Sequence, residues 1–353
     1  MCVDPRSSVR ARVALVSVAI AVTVLACGGT PPKQESASEA PPAAKVLTAS
    51  ERAAWYQECW ARFNDRSWDQ FRACYADTVQ SAQVDSGHPA ARGVEAAMAV
   101  SREFVETFPD LKGTGELVLV NGDAIVSIYV LNGTHAGALL GPDGQSVPAT
   151  GKPIGLRQAH RIRMDALGSK VVEEEFYADT GTMMAQLGLN PAPARPVATG
   201  KSAAPTVVLA AGTPAELSNV DRLRAQMAAY NSHDVKGVDA FNSPDFVYHD
   251  MTMPADQTAK ESSASTANFF KAFPDAKLVP GPAWGAGSYV VMTGRFEGTN
   301  TGAMPAMGIK KPTGKTVSVR YLDITRWEGG KLKEERLFYD GMSMARQLGQ
   351  IKK

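Results

Sequence analysis

The sequence predicts an α+β protein built as two tandem domains of one kind, each with its helices first and a curved antiparallel sheet after them. Three observations carry this reading. Several motifs recur in the same order with small changes of offset, as in a duplicated domain. Phe108-Pro109-Asp110 returns as Phe273-Pro274-Asp275, and Gly133-Thr134-His135-Ala136-Gly137 as Gly298-Thr299-Asn300-Thr301-Gly302. Thr150-Gly151-Lys152 returns as Thr313-Gly314-Lys315, and the segment Glu173 to Gly188 as Glu334 to Gly349. Within each copy, apolar residues at helical spacing precede segments that alternate with a period of two. The length of 353 residues matches two domains of ordinary size.

The elements follow in order. Arg6, Arg10 and Arg12 precede an apolar run from Val13 to Leu25, a pattern of signal-peptide type and too short for a comfortable membrane span. Residues 1–26 are therefore assigned as a signal peptide. Residues 27–45, rich in Gly, Pro, Ser, Ala and Glu, are assigned as a flexible tether. The first domain, 46–190, opens with Thr48 and Glu51 in a capping box and helices at about 50–64, 68–75 and 93–107. Strands follow at about 116–120, 124–131, 154–164 and 170–176, with a short helix to Leu187. Asn121-Gly122-Asp123 marks a hairpin between the first two. Residues 191–214 are Pro/Ala-rich and read as a linker. The second domain, 215–353, repeats the plan: helices at about 215–231, 235–241 and 256–272, with strands at 246–250, 288–296, 316–327 and 331–338.

A formal net charge of +1 gives no footprint for nucleic acid. Cys59 and Cys74 sit on neighbouring helical segments of a chain predicted to be exported, where a disulfide between them and a pair of buried thiols are both open. His233-Asp234 with His249-Asp250 matches no standard metal spacing, and no metal is assigned. The Gly-rich stretch 137–144 lies between strands and lacks the strand-to-helix context of a dinucleotide loop. Gly341-Met342-Ser343-Met344-Ala345 lacks the second glycine of a nucleophile elbow.

Two resemblances add to this. Val24-Leu25-Ala26-Cys27-Gly28 resembles a bacterial lipoprotein box, which implies that Cys27 is lipidated and anchors an exported protein. With Gly28 after the cysteine, the outer membrane is the expected address in a cell with two membranes. The Phe-Pro-Asp, Gly-Thr-His-x-Gly, Thr-Gly-Lys, Phe-Tyr-x-Asp and Gln-Leu-Gly motifs resemble those of SnoaL-like polyketide cyclases. These are the ester cyclase-like proteins of the nuclear transport factor 2-like superfamily. The resemblance covers both domains and implies two cones, each a bent antiparallel sheet wrapped by about three helices around an apolar cavity. It also implies cofactor-independent acid/base catalysis, such as cyclisation or isomerisation, on a small apolar carbonyl compound. Dimers through the sheet in that superfamily imply an internal pseudo-dimer of the two domains.

The resemblance places a general acid/base at Asp179 and Asp340, with His135 and His249 as further catalytic candidates. Asn300, Tyr248 and Asp250 become ligand-binding candidates. The residues themselves leave other roles open. Asp before a short helix is a preferred N-cap. A cap lowers a carboxyl pKa, whereas a dry cavity raises it. His135 reads equally as a rim residue, and His249-Asp250 as a half-exposed strand pair. Each copy lacks part of the polar set: the first has Ser81 and Ala82 where the second has Tyr248 and His249. A non-catalytic small-ligand-binding or protein-interaction lipoprotein is the alternative.

Overall fold

The computed structural model describes residues 45–140, 145–193, 195–305 and 309–351, which belong to one compact unit. The expected signal peptide, Cys27 and the expected tether up to residue 44 lie outside the described residues.

The first repeat runs α1 (Ala49–Asn64), α2 (Trp68–Arg72), β1 (Tyr75–Gln83), β2 (Ala91–Arg92), α3 (Val94–Thr107), β3 (Lys112–Asn121), β4 (Ala124–Thr134), β5 (Leu139–Leu140), β6 (Ser146–Val147), β7 (Pro153–Met164), β8 (Val171–Tyr177) and α4 (Thr180–Gln186). A strand β9 (Thr206–Leu209) follows. The second repeat runs α5 (Pro214–Asn231), α6 (Val235–Asp239), β10 (Asn242–Asp250), β11 (Gln257–Thr258), α7 (Ala259–Ala272), β12 (Lys277–Ala286), β13 (Tyr289–Thr299), β14 (Thr316–Glu328), β15 (Lys331–Phe338) and α8 (Gly341–Gln347).

Capping boxes start α1 at Thr48 and Glu51, α5 at Thr213 and Glu216, and α7 at Thr258 and Glu261. Each satisfies two orphan N–H groups at once. The first helix of each repeat ends in a left-handed residue, Arg66 at φ 59° and His233 at φ 57°. Both side chains then reach the loops before β3 and β12, Arg66 donating to the Leu111 carbonyl and His233 bonding the Ala276 carbonyl. A disulfide joins Cys59 in α1 to Cys74 just before β1, across 15 positions. A loop of that size contributes about 3 kcal/mol in the chain-entropy account.

The sheets have the orders β2-β1-β8-β7-β4-β3-β9 and β11-β10-β15-β14-β13-β12. The long hairpins are antiparallel, but β1 runs parallel to β8 and β10 parallel to β15. Residues 191–214 do more than link the repeats: Thr206 to Leu209 pair parallel to Leu117 to Val120 and add an edge strand. Thr-Val-Val-Leu suits an open sheet edge, and its signal is masked by the surrounding Pro/Ala composition. Strand β12 also escaped the sequence reading. Its Pro280 and Pro282 are tolerated because it is the last strand of its sheet.

Each repeat has its own apolar core between sheet and helices. A third core draws on both. Leu119, Val126 and Ile128 of the first sheet cluster with Val291, Leu322 and Phe338 of the second. Because side chains alternate across a strand, each central strand thus faces its own helices with one set and the other repeat with the other.

Candidate functional site

The two cone interiors differ. In the first repeat Trp60 stacks on Tyr129 with centroids 4.1 Å apart, His160 meets the Trp60 edge at 5.2 Å, and Phe176 stacks on His160 at 5.7 Å. In the second repeat an apolar cavity of about 670 Å³ occupies the interior. The substitutions that open it can be identified. Asn64 and Asn231 make matching bonds to the backbone of Gly113 and Leu278. Four residues upstream of each lie Trp60 and Met227. Tyr129 pairs with Gln158, and its counterpart Gly294 pairs with Tyr321. Trp is thus exchanged for Met, and the pair Tyr129 and Gln158 for the pair Gly294 and Tyr321. The bare Gly294 backbone lets the Tyr321 hydroxyl lie against it, where any Cβ would collide.

Seven aromatic side chains, among them Tyr230, Tyr248, Phe269, Tyr321 and Tyr339, line the cavity with Met227 and Met344. Three carboxyl groups also face it: Asp250, Asp323 and Glu335. Strand register explains the grouping. Asp323 lies opposite Leu337, and Glu335 is two residues before Leu337 on β15, so both point to the same face. Burial holds the Asp323 carboxyl well above its ordinary range, and the Glu335 charge adds to this. Burial likewise pushes Glu335 up to about 7, with Asp250 adding to it. Asp250 is raised by burial too, against bonds from the Thr252 amide and hydroxyl at 2.9 and 2.8 Å. Asp323 Oδ1 and the Tyr321 hydroxyl are buried without a partner among the described residues.

The first repeat resolves the same positions differently. His160 stands where Asp323 does, and Glu174 where Glu335 does. Glu174 is satisfied by His160 Nδ1 at 3.2 Å and by the donating hydroxyls of Ser81 at 2.9 Å and Tyr75 at 3.4 Å. Tyr248 and Asn242 replace Ser81 and Tyr75 in the second repeat, and the Glu335 carboxyl accepts no hydrogen bond among the described residues. A buried carboxyl without donors is costly to ionise. The second cavity therefore holds carboxyls that few donors answer, while the first interior is closed on itself.

Tyr248 and Asp250 lie on the cavity wall, as a ligand site requires. The other sequence-derived candidates are placed elsewhere. Asp179 and Asp340 do not line this cavity. Asp179 caps α4 through the Gly181 and Thr182 amides and also accepts from the Gly341 amide of the other repeat at 3.0 Å. Asp340 caps α8 through the Met342 amide and accepts from Thr180 of the first repeat at 3.2 Å. Each carboxylate thus holds its own helix and its counterpart's. Burial raises Asp179, and burial with the nearby Asp179 charge raises Asp340 to about 6. Caps ordinarily lower a carboxyl pKa, but here the caps are sealed between the repeats and desolvation wins.

His135 and Asn300 are buried latches of the Thr-Gly-Lys turns rather than cavity residues. His135 Nδ1 accepts from the Thr150 amide at 3.1 Å, and Asn300 Oδ1 accepts from the Thr313 amide at 2.8 Å. Burial lowers the His135 pKa, so the neutral ring is favoured. His249 points to the opposite face of β10 from Tyr248 and Asp250, as strand alternation demands. Its ring nitrogens lie 2.9 Å from Asp256 and 3.0 Å from Glu334. Among the described residues, no group of three or more His, Cys, Asp or Glu is placed to hold a metal ion.

Sequence reasoning missed Asp323, Glu335 and Tyr321. A signal existed: Tyr321, Asp323 and Thr325 alternate with the apolar Leu322 and Ile324 in a long strand. Both faces of this sheet are covered, so the polar set is enclosed with the apolar one.

A curved sheet wrapped by helices defines an α+β cone, here present twice, with an apolar pocket and buried acids in the second copy. The family model for SnoaL-like polyketide cyclases matches residues 50–187 and 220–348, most of the chain. The chain belongs to the SnoaL-like polyketide cyclase family. Similar solved structures include AclR from Streptomyces galilaeus, at 21% identity and a TM-score of 0.35, covering 39% of this chain and 99% of that one. IdmH from Streptomyces antibioticus matches at 23% identity and a TM-score of 0.34, over 39% of this chain and 99% of its own. TsrD from Streptomyces laurentii matches at 22% and 0.34, over 38% and 97%. No curated protein matches the chain.

Proposed function

We propose that the second repeat catalyses cofactor-independent acid/base chemistry, a cyclisation or isomerisation, on a small apolar carbonyl compound. The observation that carries this is the pair Asp323 and Glu335, two donor-poor carboxyls buried in an apolar cavity of about 670 Å³. Glu335, near 7, is poised as the general base that takes a proton from carbon next to the carbonyl. Asp323, on the cavity wall and held neutral by burial, is the donor for the oxygen on which negative charge develops. The resulting enolate attacks a second carbonyl carbon within the molecule, closing a ring, or is reprotonated at another carbon. The first repeat, with its interior packed, serves as the structural half of an internal pseudo-dimer. The shared apolar core and the reciprocal Asp179 and Asp340 caps support that role.

The test is exchange of carbonyl α-protons for deuterium, followed by NMR across a panel of small apolar ketones. The wild type is expected to exchange at least one well above the buffer rate. Glu335→Gln is expected to lose about a hundredfold or more, the scale of general-base catalysis. Exchange at the buffer rate for the whole panel, or unchanged exchange in the variant, would leave a binding protein without turnover.

The Arg-rich start, the apolar run and Cys27 support an exported, membrane-anchored lipoprotein. Growth with a labelled fatty acid should label the wild type and not Cys27→Ser. An unlabelled wild type removes the anchor.

A further inference from the structure

A second concave site lies on the opposite side of β10 from the cavity. It is a cleft of about 420 Å³ whose walls come from both repeats and from the segment between them. Four basic side chains line it: Arg157 from the first repeat, Arg195 and Lys201 from the connecting segment, and Arg336 from the second repeat. Two lining carboxylates, Glu116 and Asp256, oppose them, so positive charge is in excess. His249 lies there too, between Asp256 and Glu334.

The arginines are held in place. Arg157 Nε lies 3.0 and 3.1 Å from the two Glu116 oxygens. Arg195 donates to Asp256 at 2.7 Å and to the Asp250 carbonyl at 2.8 Å, and Arg336 pairs with Glu334 at 2.6 Å. Each carboxylate fixes one side of a guanidinium, and a guanidinium has five donors to place. Arg195 Nε is buried with no acceptor among the described residues. Lys201, at the rim, makes no ion pair or hydrogen bond among them. The connecting segment is itself pinned on either side of Lys201, by Ala198 and Gly200 on Asn132 and by β9 on β3. Among the described residues, one guanidinium nitrogen without an acceptor, an unpaired ammonium at Lys201 and two further anchored arginines around a cleft with room for a small molecule point to an anion site.

We propose that this cleft binds a small organic polyanion carrying two or more carboxylate or phosphate groups, which bridges the two repeats and the segment between them. The site is independent of the catalytic reading of the cavity. Isothermal titration of the intact chain with citrate and with pyrophosphate tests it, the preferred anion distinguishing carboxylate from phosphate. At least one should bind saturably below millimolar concentration. Lys201→Glu should weaken that binding at least tenfold while leaving the melting temperature without anion unchanged, since Lys201 supports no other residue. Arg195→Gln should weaken it as well. Failure of both anions to saturate the wild type at millimolar concentration, or equal affinity in Lys201→Glu, overturns the proposal.

Discussion

Replacing Glu335 by Gln should stabilise the protein at neutral and alkaline pH, because the native carboxyl is buried where its charge is poorly answered. An unfolded chain titrates Glu335 near the ordinary 4.5, and the folded protein near 7. Between those values the folded state binds the extra proton, so stability falls as pH rises and levels off above 7. One pKa unit corresponds to about 1.4 kcal/mol, which puts the full loss at about 3 kcal/mol. Gln keeps the shape and cannot ionise. Urea unfolding at a series of pH values should show wild type and Glu335→Gln close together near pH 4. The variant should then gain ground through pH 5 to 7, reaching an advantage of about 3 kcal/mol by pH 8. Removing that charge also relieves Asp323, whose carboxyl is held up in part by Glu335. A difference that does not change with pH, or a variant less stable at pH 8, would refute the buried, donor-poor carboxyl and with it the proposed base.

Met227→Trp restores the bulk that Trp60 provides in the first repeat, and should abolish ligand binding in the second cavity with little loss of stability, checked by titration and thermal unfolding. Asp340 follows the same sign as Glu335: its folded pKa of about 6 lies above the ordinary 3.8. Stability should therefore drop between about pH 4 and 6. Asp340→Asn, which still accepts the cap bonds, should flatten that part of the urea-unfolding profile.

The duplicated plan was legible because its signals are local. Thr48 with Glu51 marks a helix start, Asn121-Gly122 a turn, and Ile154 to Met164 a strand, each through backbone preferences that neighbouring residues impose. The recurrence of motifs in order pointed to two repeats, and the resemblance of those motifs to SnoaL-like cyclases pointed to the family. Tyr248 and Asp250 were singled out by the family resemblance, and the structure places both on the cavity wall. Strand β12 and the edge strand Thr206–Leu209 were not, because Pro and Ala dominate their surroundings and pairing partners far along the chain decide them.

The site itself was decided by tertiary structure. Asp179 and Asp340 carry the same local pattern as a catalytic acid, but the packing of one repeat on the other turns them into caps shared between helices. His249 and Asp250 are adjacent in sequence and face opposite sides of one strand, one toward the cleft and one toward the cavity. Asp323 and Glu335 look like ordinary strand polar residues until both faces of the sheet are seen to be covered. The decisive exchanges, Trp60 to Met227 and the pair Tyr129 and Gln158 to the pair Gly294 and Tyr321, are individually unremarkable in the sequence. They open a cavity only because the two positions meet across helix and sheet. Local preference sets which elements form, whereas desolvation and free volume arise from what is packed around a residue, and only the folded chain fixes those.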